Sequence, residues 1–526
     1  MVNTGRQKFD AIVIGSGIGG LTCAALLSKF YHKRVLVLEQ HFTVGGFTHG
    51  FDRQGKFHWD VGVHYIGEME EGGTGRDVFN YITNGQLKWQ KMADPFEKFV
   101  YPDFTFDVYS GAKRFEGDLI QKFPHERKGI KKYFKDIKKA AFWFIGDSML
   151  EIFPVFLHPI LRRIYGYFGK IGRQTTQAYL NKNFRDVQLK AVLVSQWGDY
   201  GLPPCQSSFG THSSIVTHFL EGGWHPAGGG KQIPDLIVPT IEQSGGIVIT
   251  QRKVTEIIIE NGVAVGVKVQ NLGDLDAELE TYHAPVIVSN AGAFNTYIKL
   301  IPPNYPLPFR DQIKNFQKGT NVLSLYLGLK ENPESLGFHG ENHWIHNTYY
   351  HNAIVDAPST DANHLPQFAY LSFPSLKNPD AKGHTAEIIV AGDYDFFTQW
   401  QDKKWKRRGD DYKELKAEIS DSIISLIEQY YPGFQDLIEY TELATPLTFE
   451  HFGASDRGAI YGIPCTIERF DIPWANARTP IKNLYLTGVD TFPNGIMGAM
   501  MGGVKTAGLI DGHFGFLMLM AKMIHK

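Results

Sequence analysis

Cysteine is scarce in this chain: Cys23, Cys205 and Cys465 are its only three in 526 residues, too widely spaced for a metal or C-x-x-C motif. So few thiols provide no disulfide framework and fit a reducing compartment. Net charge is missing too. A formal charge of −2, from 53 Lys and Arg against 55 Asp and Glu, gives no reason to expect a nucleic-acid partner. No run of about twenty uninterrupted apolar residues occurs, so no membrane span is expected. The N-terminus does not read as a secretory signal, because its first apolar run is a strand; a cytoplasmic chain is expected. Serine and cysteine nucleophile patterns are absent, and the 20 histidines show no H-E-x-x-H or other zinc spacing.

What the chain does have is aromatic mass and ordered glycines. Thirty-seven Phe, 24 Tyr and 9 Trp make 13% of the residues. That load suits a large aromatic core, which composition alone favours, or a long apolar tunnel for a flat, extended ligand. Near the start, the apolar strand Asp10–Ile14 runs into Gly15-x-Gly17-x-x-Gly20 and a small-residue helix. A second strand ends on Glu39, and Gly45-Gly46 follows six residues later. Gly15 allows the tight turn, Gly17 lets backbone approach a pyrophosphate, and Gly20 lets helix pack on strand. The helix N-terminus offers free N–H groups and a positive dipole end to phosphates. Glu39, nineteen residues past Gly20, is placed to accept hydrogen bonds from an adenosine ribose. Strand, glycines, helix and acid together predict dinucleotide binding.

The length suits more than one domain. A nucleotide domain in three pieces, 1–70, 226–298 and 476–526, is expected to interleave with a substrate domain of 71–225 and 299–475. Within 226–298, VTEIIIE, Asn261-Gly262 and VAVGVKVQ predict a hairpin with a two-residue turn. Residues 71–225 read as mostly helical. Residues 299–475 carry short alternating strands for a largely antiparallel sheet, and an amphipathic helix over Tyr412–Tyr431 with Leu415, Ile419, Ile423 and Leu426 at helical spacing. In segment 127–172, Arg127, Lys128, Lys131, Lys132, Lys135, Lys138 and Lys139 precede a stretch rich in aromatic and aliphatic residues. Two readings stay open: a helix lying in a membrane interface, or a solvated basic helix followed by a buried one. The apolar tail GFLMLMAKMI fits a second membrane contact or core packing equally.

Gly45-Gly46 is similar to the doublet that carries the backbone past FAD in glutathione-reductase-like and amine-oxidase-like flavoproteins, which tips the dinucleotide to FAD. No second strand–G-x-G-x-x-G–helix unit occurs, so electrons are expected from an external donor, NAD(P)H being a candidate. LEQHFTVGGFTHGF, WDVGVHYIGEM, FLEGGWHPAGGGKQIPDLIVPTIEQSGGIVIT and LYLTGVDTFPNGIMGAMMGG occur in that order. Together they resemble the retinol saturase branch of the phytoene desaturase and carotenoid isomerase flavoprotein superfamily. The resemblance covers both ends and the middle of the chain and is weak over 71–190 and 300–470.

It implies an α/β fold in which a FAD-binding Rossmann-like domain of glutathione-reductase type is interleaved with a mixed α+β substrate domain containing an antiparallel sheet. It also implies noncovalent FAD. Gly15, Ser16, Gly17, Gly19 and Gly20 would line the pyrophosphate, with Glu39 and Gln40 at the adenosine ribose. Gly45, Gly46 and Thr48 would pass beside the ribityl chain, and the Val254 backbone would meet the adenine. Asn290, Ala291 and Gly292 would form a second crossing near the nucleotide, while Gly488, Asp490, Ile496 and Met497 would enclose the flavin ring and chain. One departure stands out: many amine-oxidase-like relatives carry Glu directly after the glycine matching Gly488, where this chain has Val489 and then Asp490.

The chemistry so implied is reduction of a carbon–carbon double bond in a hydrophobic polyene or isoprenoid, such as a retinoid or carotenoid. One alkene carbon then needs a hydride and the other a proton; a general acid typically contributes ~10²–10⁴-fold. His64 and Tyr65 are the catalytic candidates for that proton, with Asp60 placed to orient or charge His64 if a turn joins them. His225 is a further candidate. Each also has a structural reading, as a histidine bonded to backbone or a tyrosine packed with its hydroxyl capped. Desaturation or cis–trans isomerisation at the same flavin is the close alternative. A non-catalytic prenyl-lipid escort protein of related fold is the alternative from another class, and the intact glycine set with Glu39 argues against it. An amine oxidase is a third option.

Overall fold

The computed structural model describes residues 8–356, 365–512 and 514–524. Its centre is a five-stranded, all-parallel sheet in the order Leu484–Leu486, Ile287–Ser289, Ala11–Ile14, Val35–Leu38, Ile247–Ile249. Every residue of Ala11–Ile14 and Val35–Leu38 is buried, because both faces of the sheet are covered. Alternate side chains take opposite sides. Ala11, Val13, Val35 and Val37 pack on Leu21, Leu26, Ile233 and Val504 from the helices Ile18–Lys29, Gln232–Gln243 and Gly495–Ile510. Ile12, Ile14, Leu36 and Leu38 pack on Ile257 and Val267 from an antiparallel sheet of Arg252–Glu260, Val263–Asn271 and Glu280–His283. The predicted hairpin lies in that second sheet. Asn261 and Gly262 form its turn with φ of 50° and 79°, the left-handed pair that a two-residue turn of this hand needs.

A seven-stranded sheet roofs the molecule in the order Ile438–Ala444, Val322–Leu329, His384–Ala391, Phe368–Ser372, Asn342–His346, Glu97–Val100, Thr105–Val108. One face packs Leu323, Leu325, Leu327, Ile388 and Val390 on Ile419, Ile423, Leu426 and Ile427 of the amphipathic helix, which spans Asp410–Tyr430. The residues between them, Ser324, Tyr326 and Ile389, face a cavity. The period of two thus divides core from cavity wall. The largely antiparallel sheet is present, but residues 71–225 are less purely helical than their pattern suggests. They contribute Glu97–Val100 and Thr105–Val108, and Glu97–Val100 pairs in parallel with Asn342–His346.

The basic segment splits between its two readings. Helix Arg127–Ser148 buries Ile130, Tyr133, Phe134, Ile137 and Phe144 and turns most of its cations outward. Helix His158–Gly172 buries only Gly169 and Gly172. Those two glycines sit on the Trp143 ring, where a Cβ would come within 2.9 and 2.1 Å of ring atoms. The second helix is therefore not a buried one: Ile160, Ile164 and Tyr167 are 59%, 52% and 77% exposed, and Phe156 in the turn before it is 75% exposed. Among the described residues, no helix is long and apolar enough to cross a membrane.

Candidate active site

One continuous cavity of about 2110 Å³ runs between the two sheets. That exceeds the roughly 300–1,000 Å³ of an ordinary ligand pocket and leaves room for a dinucleotide and a second long molecule. Its first stretch is walled by backbone and small side chains. Gly15, Gly17, Gly19, Glu39, Gln40, Gly46 and Thr48 line it, as do Val254, Asn290, Ala291, Gly292, Asp490, Ile496 and Met497.

Ser16, Gly20, Gly45 and Gly488 stand behind that wall and have packing roles. A Cβ on Gly20 would lie 2.2 Å from the Gly15 carbonyl oxygen, and one on Gly19 would lie 2.5 Å from Gly488 Cα. Gly45, at φ 113°, brings the loop back beside Gly17 in an isolated parallel bridge. The Thr48 hydroxyl then donates to the Gly45 carbonyl at 2.8 Å. The Asn290 side chain is wedged among Gly17, Gly19 and Gly488, within 2.8 Å of any Cβ added there. Only glycine permits this convergence, and the backbone-lined channel it leaves has the form a pyrophosphate-bearing cofactor requires.

Glu39 has a duty of its own. Its Oε2 accepts from Ser16 N at 2.8 Å and Ser16 Oγ at 2.6 Å, and Oε1 accepts from His41 N at 2.7 Å. Asp490 similarly ties segments together: Oδ2 accepts from Ala293 N at 2.6 Å and Oδ1 from Ile463 N at 2.8 Å.

Beyond the channel the cavity widens into a chamber walled by Trp197, Phe219, Trp344, Phe368 and Tyr370. The aromatic load therefore supplies both a core and a ligand wall. His64 and Tyr65 line this chamber as well. Burial and the nearby Lys377 ammonium push His64 down to about 3, so its ring is neutral at pH 7. The expected turn between Asp60 and His64 does not form. Asp60 instead points at the loop Gly228–Gly230, accepting from Gly230 N at 2.8 Å and pairing with His225 Nε2 at 3.0 Å. His64 Nδ1 sits 3.4 Å from Glu387 Oε2. His225 is buried behind the wall and does not line the cavity.

A model of NAD(P)-binding Rossmann-like domains matches residues 13–82. The all-trans-retinol 13,14-reductase of Danio rerio is 34% identical over 96% of this chain and 86% of its own length. The chain belongs to the all-trans-retinol 13,14-reductase family. The human all-trans-retinol 13,14-reductase is 33% identical over 96% of this chain and 86% of its own length. Prolycopene isomerase 2 of an Oncidium hybrid cultivar is 26% identical over 97% of this chain and 85% of its own length. The family resemblance carried by the glycine segments is thereby borne out, as is the Rossmann-like α/β architecture. An oxidoreductase from Methanosarcina mazei superposes with a TM-score of 0.61 at 17% identity, covering 97% of this chain and 99% of its own. Cyclohexylamine oxidase from Brevibacterium oxydans does so with 0.60 at 13%, covering 98% and 100%. These two likenesses are of fold.

In this member of the all-trans-retinol 13,14-reductase family, two acids that the sequence reading missed stand at the chamber, Asp199 lining it and Glu97 behind its wall. The Tyr65 hydroxyl lies 2.5 Å from Glu97 Oε1 and 2.6 Å from Asp199 Oδ2. Their available signal was weak: Glu97 lies between Phe96 and Lys98 in PFEKFV, and Asp199 is the single acid of SQWGDYG. Glu387, in HTAEIIVA, escaped notice for the same reason, and Lys377, in SLKNPD, read as an ordinary surface lysine. Lys377 Nζ donates to His64 O, Asn342 Oδ1 and Ser372 Oγ at 3.0, 2.5 and 2.7 Å.

Proposed function

We propose that this chain is a FAD-dependent oxidoreductase that saturates one carbon–carbon double bond of a hydrophobic polyene or isoprenoid, a retinoid or carotenoid. The observation that carries this reading is the continuity of the cavity, from a glycine-lined channel to an aromatic-walled chamber. FAD fits the channel because the glycine convergence lets backbone line it at Gly15, Gly17, Gly19 and Gly46, and Glu39 stands at the ribose end. When bound, FAD supplies the hydride, and an external donor such as NAD(P)H reloads it. The aromatic walls orient an apolar chain that offers no charged handle. They also exclude water, which strengthens every polar interaction left inside. The names borne by the Danio rerio and human relatives support reduction of a retinoid.

A purified preparation that is yellow and releases FAD on denaturation supports the cofactor; a colourless one that takes up no FAD overturns it and favours the lipid-escort reading. Incubation of the dithionite-reduced protein with retinol and carotenoids, followed by product mass, tests the reaction. A gain of two hydrogens is expected. Unchanged mass with a shifted spectrum would favour isomerisation, the reading supported by the prolycopene isomerase relative, and mass loss with an acceptor would favour desaturation.

The same reading includes a peripheral membrane contact. Ile160 and Ile164, four residues apart on the exposed helix, follow Phe156 in the turn Val155–Leu157 that leads into it, with Arg162, Arg163 and Lys170 also exposed. Phe142, Ile145 and Tyr165 of this region, with Leu517 of helix Gly515–Ile524, line the cavity. A substrate dissolved in lipid then enters the chamber without crossing water.

A further inference from the structure

The Tyr65 hydroxyl has one proton and two carboxyl neighbours, so one of those acids donates to it while the other accepts from it. The surroundings distinguish them. Glu97 also accepts from Trp344 Nε1 at 2.8 Å and Gln196 Nε2 at 2.6 Å. Three donors converge on Glu97, and hydrogen bonds to a carboxylate favour its charged form. Among the described residues, Asp199 has only the tyrosine as a side-chain hydrogen-bond partner. It ends the short helix Ser195–Asp199 and lines the chamber, whereas Glu97 lies behind the wall. Two anions flanking one phenol in an apolar enclosure would repel strongly, so the pair holds one proton.

We propose that this proton resides on Asp199 and that Asp199 is the acid of the reduction, delivering it to the alkene carbon that does not receive the hydride. This assignment rests on the reading of the previous subsection. The Asp199 O–H bond breaks and a C–H bond forms; the second C–H bond and both electrons come with the hydride of the reduced flavin, so the alkene gains two hydrogens. Asp199 is left as a carboxylate and is reprotonated by water admitted as product leaves. Tyr65 and Glu97 are positioning residues. As Asp199 loses its proton, the Tyr65 O–H turns from Glu97 to the new carboxylate, while Trp344 and Gln196 continue to hold Glu97. Burial and the charge of Glu97 push Asp199 well above the usual carboxylate range, outweighing the Tyr65 hydrogen bond, which acts the other way. Glu97, whose three donors oppose its burial, rises only to about 7.

Infrared difference spectra of the flavin-free protein in H₂O and D₂O test the proton's location without any substrate. Asp199→Asn is expected to remove a protonated-carboxyl C=O band that shifts in D₂O, whereas Glu97→Gln removes a carboxylate band and leaves the protonated one. The reverse pattern overturns the proposal. Tyr65→Phe, which keeps both acids, is expected to shift the protonated band; an unmoved band overturns the proposal even if Asp199→Asn fails to fold. With flavin content unchanged, Asp199→Asn is expected to lower polyene turnover about 10²-fold or more, and wild-type turnover overturns it. If wild-type protein turns over no polyene while the infrared pattern holds, the failure lies in the functional reading and not in the proton's location.

Discussion

Replacing Glu39 by alanine tests whether the acid at the ribose position also builds its own loop. Its carboxylate accepts from Ser16 N, Ser16 Oγ and His41 N, and Ser16 is fully buried. In the alanine variant two buried Ser16 donors lose their acceptor, at about 1–3 kcal/mol each. The His41 N–H is nearer solvent and finds water. The flavin-free protein should therefore lose about 2–6 kcal/mol of unfolding free energy. Glu39→Gln should lose less, because its one amide oxygen can still accept from both Ser16 donors, although its NH₂ then faces the His41 N–H, donor to donor. Cofactor retention should fall on top of this. Ribose hydroxyls bonded to a charged acceptor contribute about 1.5–3 kcal/mol each, so losing even one weakens FAD about tenfold or more. Urea unfolding of the flavin-free variants, followed by tryptophan fluorescence, measures the first effect, and FAD remaining after gel filtration measures the second. A wild-type midpoint for flavin-free Glu39→Ala would refute the loop-building role. Wild-type retention would refute the ribose contact.

Two further outcomes follow from the packing. Changing Phe156, Ile160 and Ile164 together to serine removes side chains worth about 1.5–3 kcal/mol each when fully buried, and should lower co-sedimentation with anionic vesicles at least tenfold; unchanged pelleting would rule out this face as the membrane contact. Asp60 is pushed up by burial, but its bonds to His225 and His58 outweigh that and hold it well below the usual carboxylate range. A folded value below the unfolded one, near 3.9, stabilises fully above about pH 4 and less as pH falls through the folded value. The unfolding free-energy gap between wild type and Asp60→Asn should therefore stay level from about pH 5 to 6 and shrink below about pH 4; a gap that widens in acid would refute the pairing.

The nucleotide end was legible because its signals are local. The strand Ala11–Ile14, the glycines after it, Glu39 and the Asn261-Gly262 turn each announce themselves within a few residues. The same holds for helix Asp410–Tyr430, whose buried Ile419, Ile423 and Leu426 keep helical spacing. Non-local pairing was not legible. Glu97–Val100 is four residues long, follows an Asp-Pro, and finds its partner at Asn342–His346. The chamber's acids were hidden likewise, since Glu97, Tyr65 and Asp199 converge from three separate elements. His225 looked reactive from its neighbours alone, yet Asp60 claims its ring away from the cavity. Sequence proximity marked the glycine-lined channel; only tertiary contact brings Tyr65, Glu97 and Asp199 together.

The backbone contact between Gly19 and Gly488, and the seating of helix Gly495–Ile510 on helix Ile18–Lys29, join the earliest and latest parts of the polypeptide. Synthesis proceeds from the N-terminus, so a ribosome displays the finished glycine loop long before strand Leu484–Leu486 exists to border it. During that interval one edge of Ile287–Ser289 stays unpaired and the apolar side of the first helix lacks its cover, an aggregation-prone condition. Completion of the glycine-lined channel is consequently an event that follows synthesis of strand Leu484–Leu486.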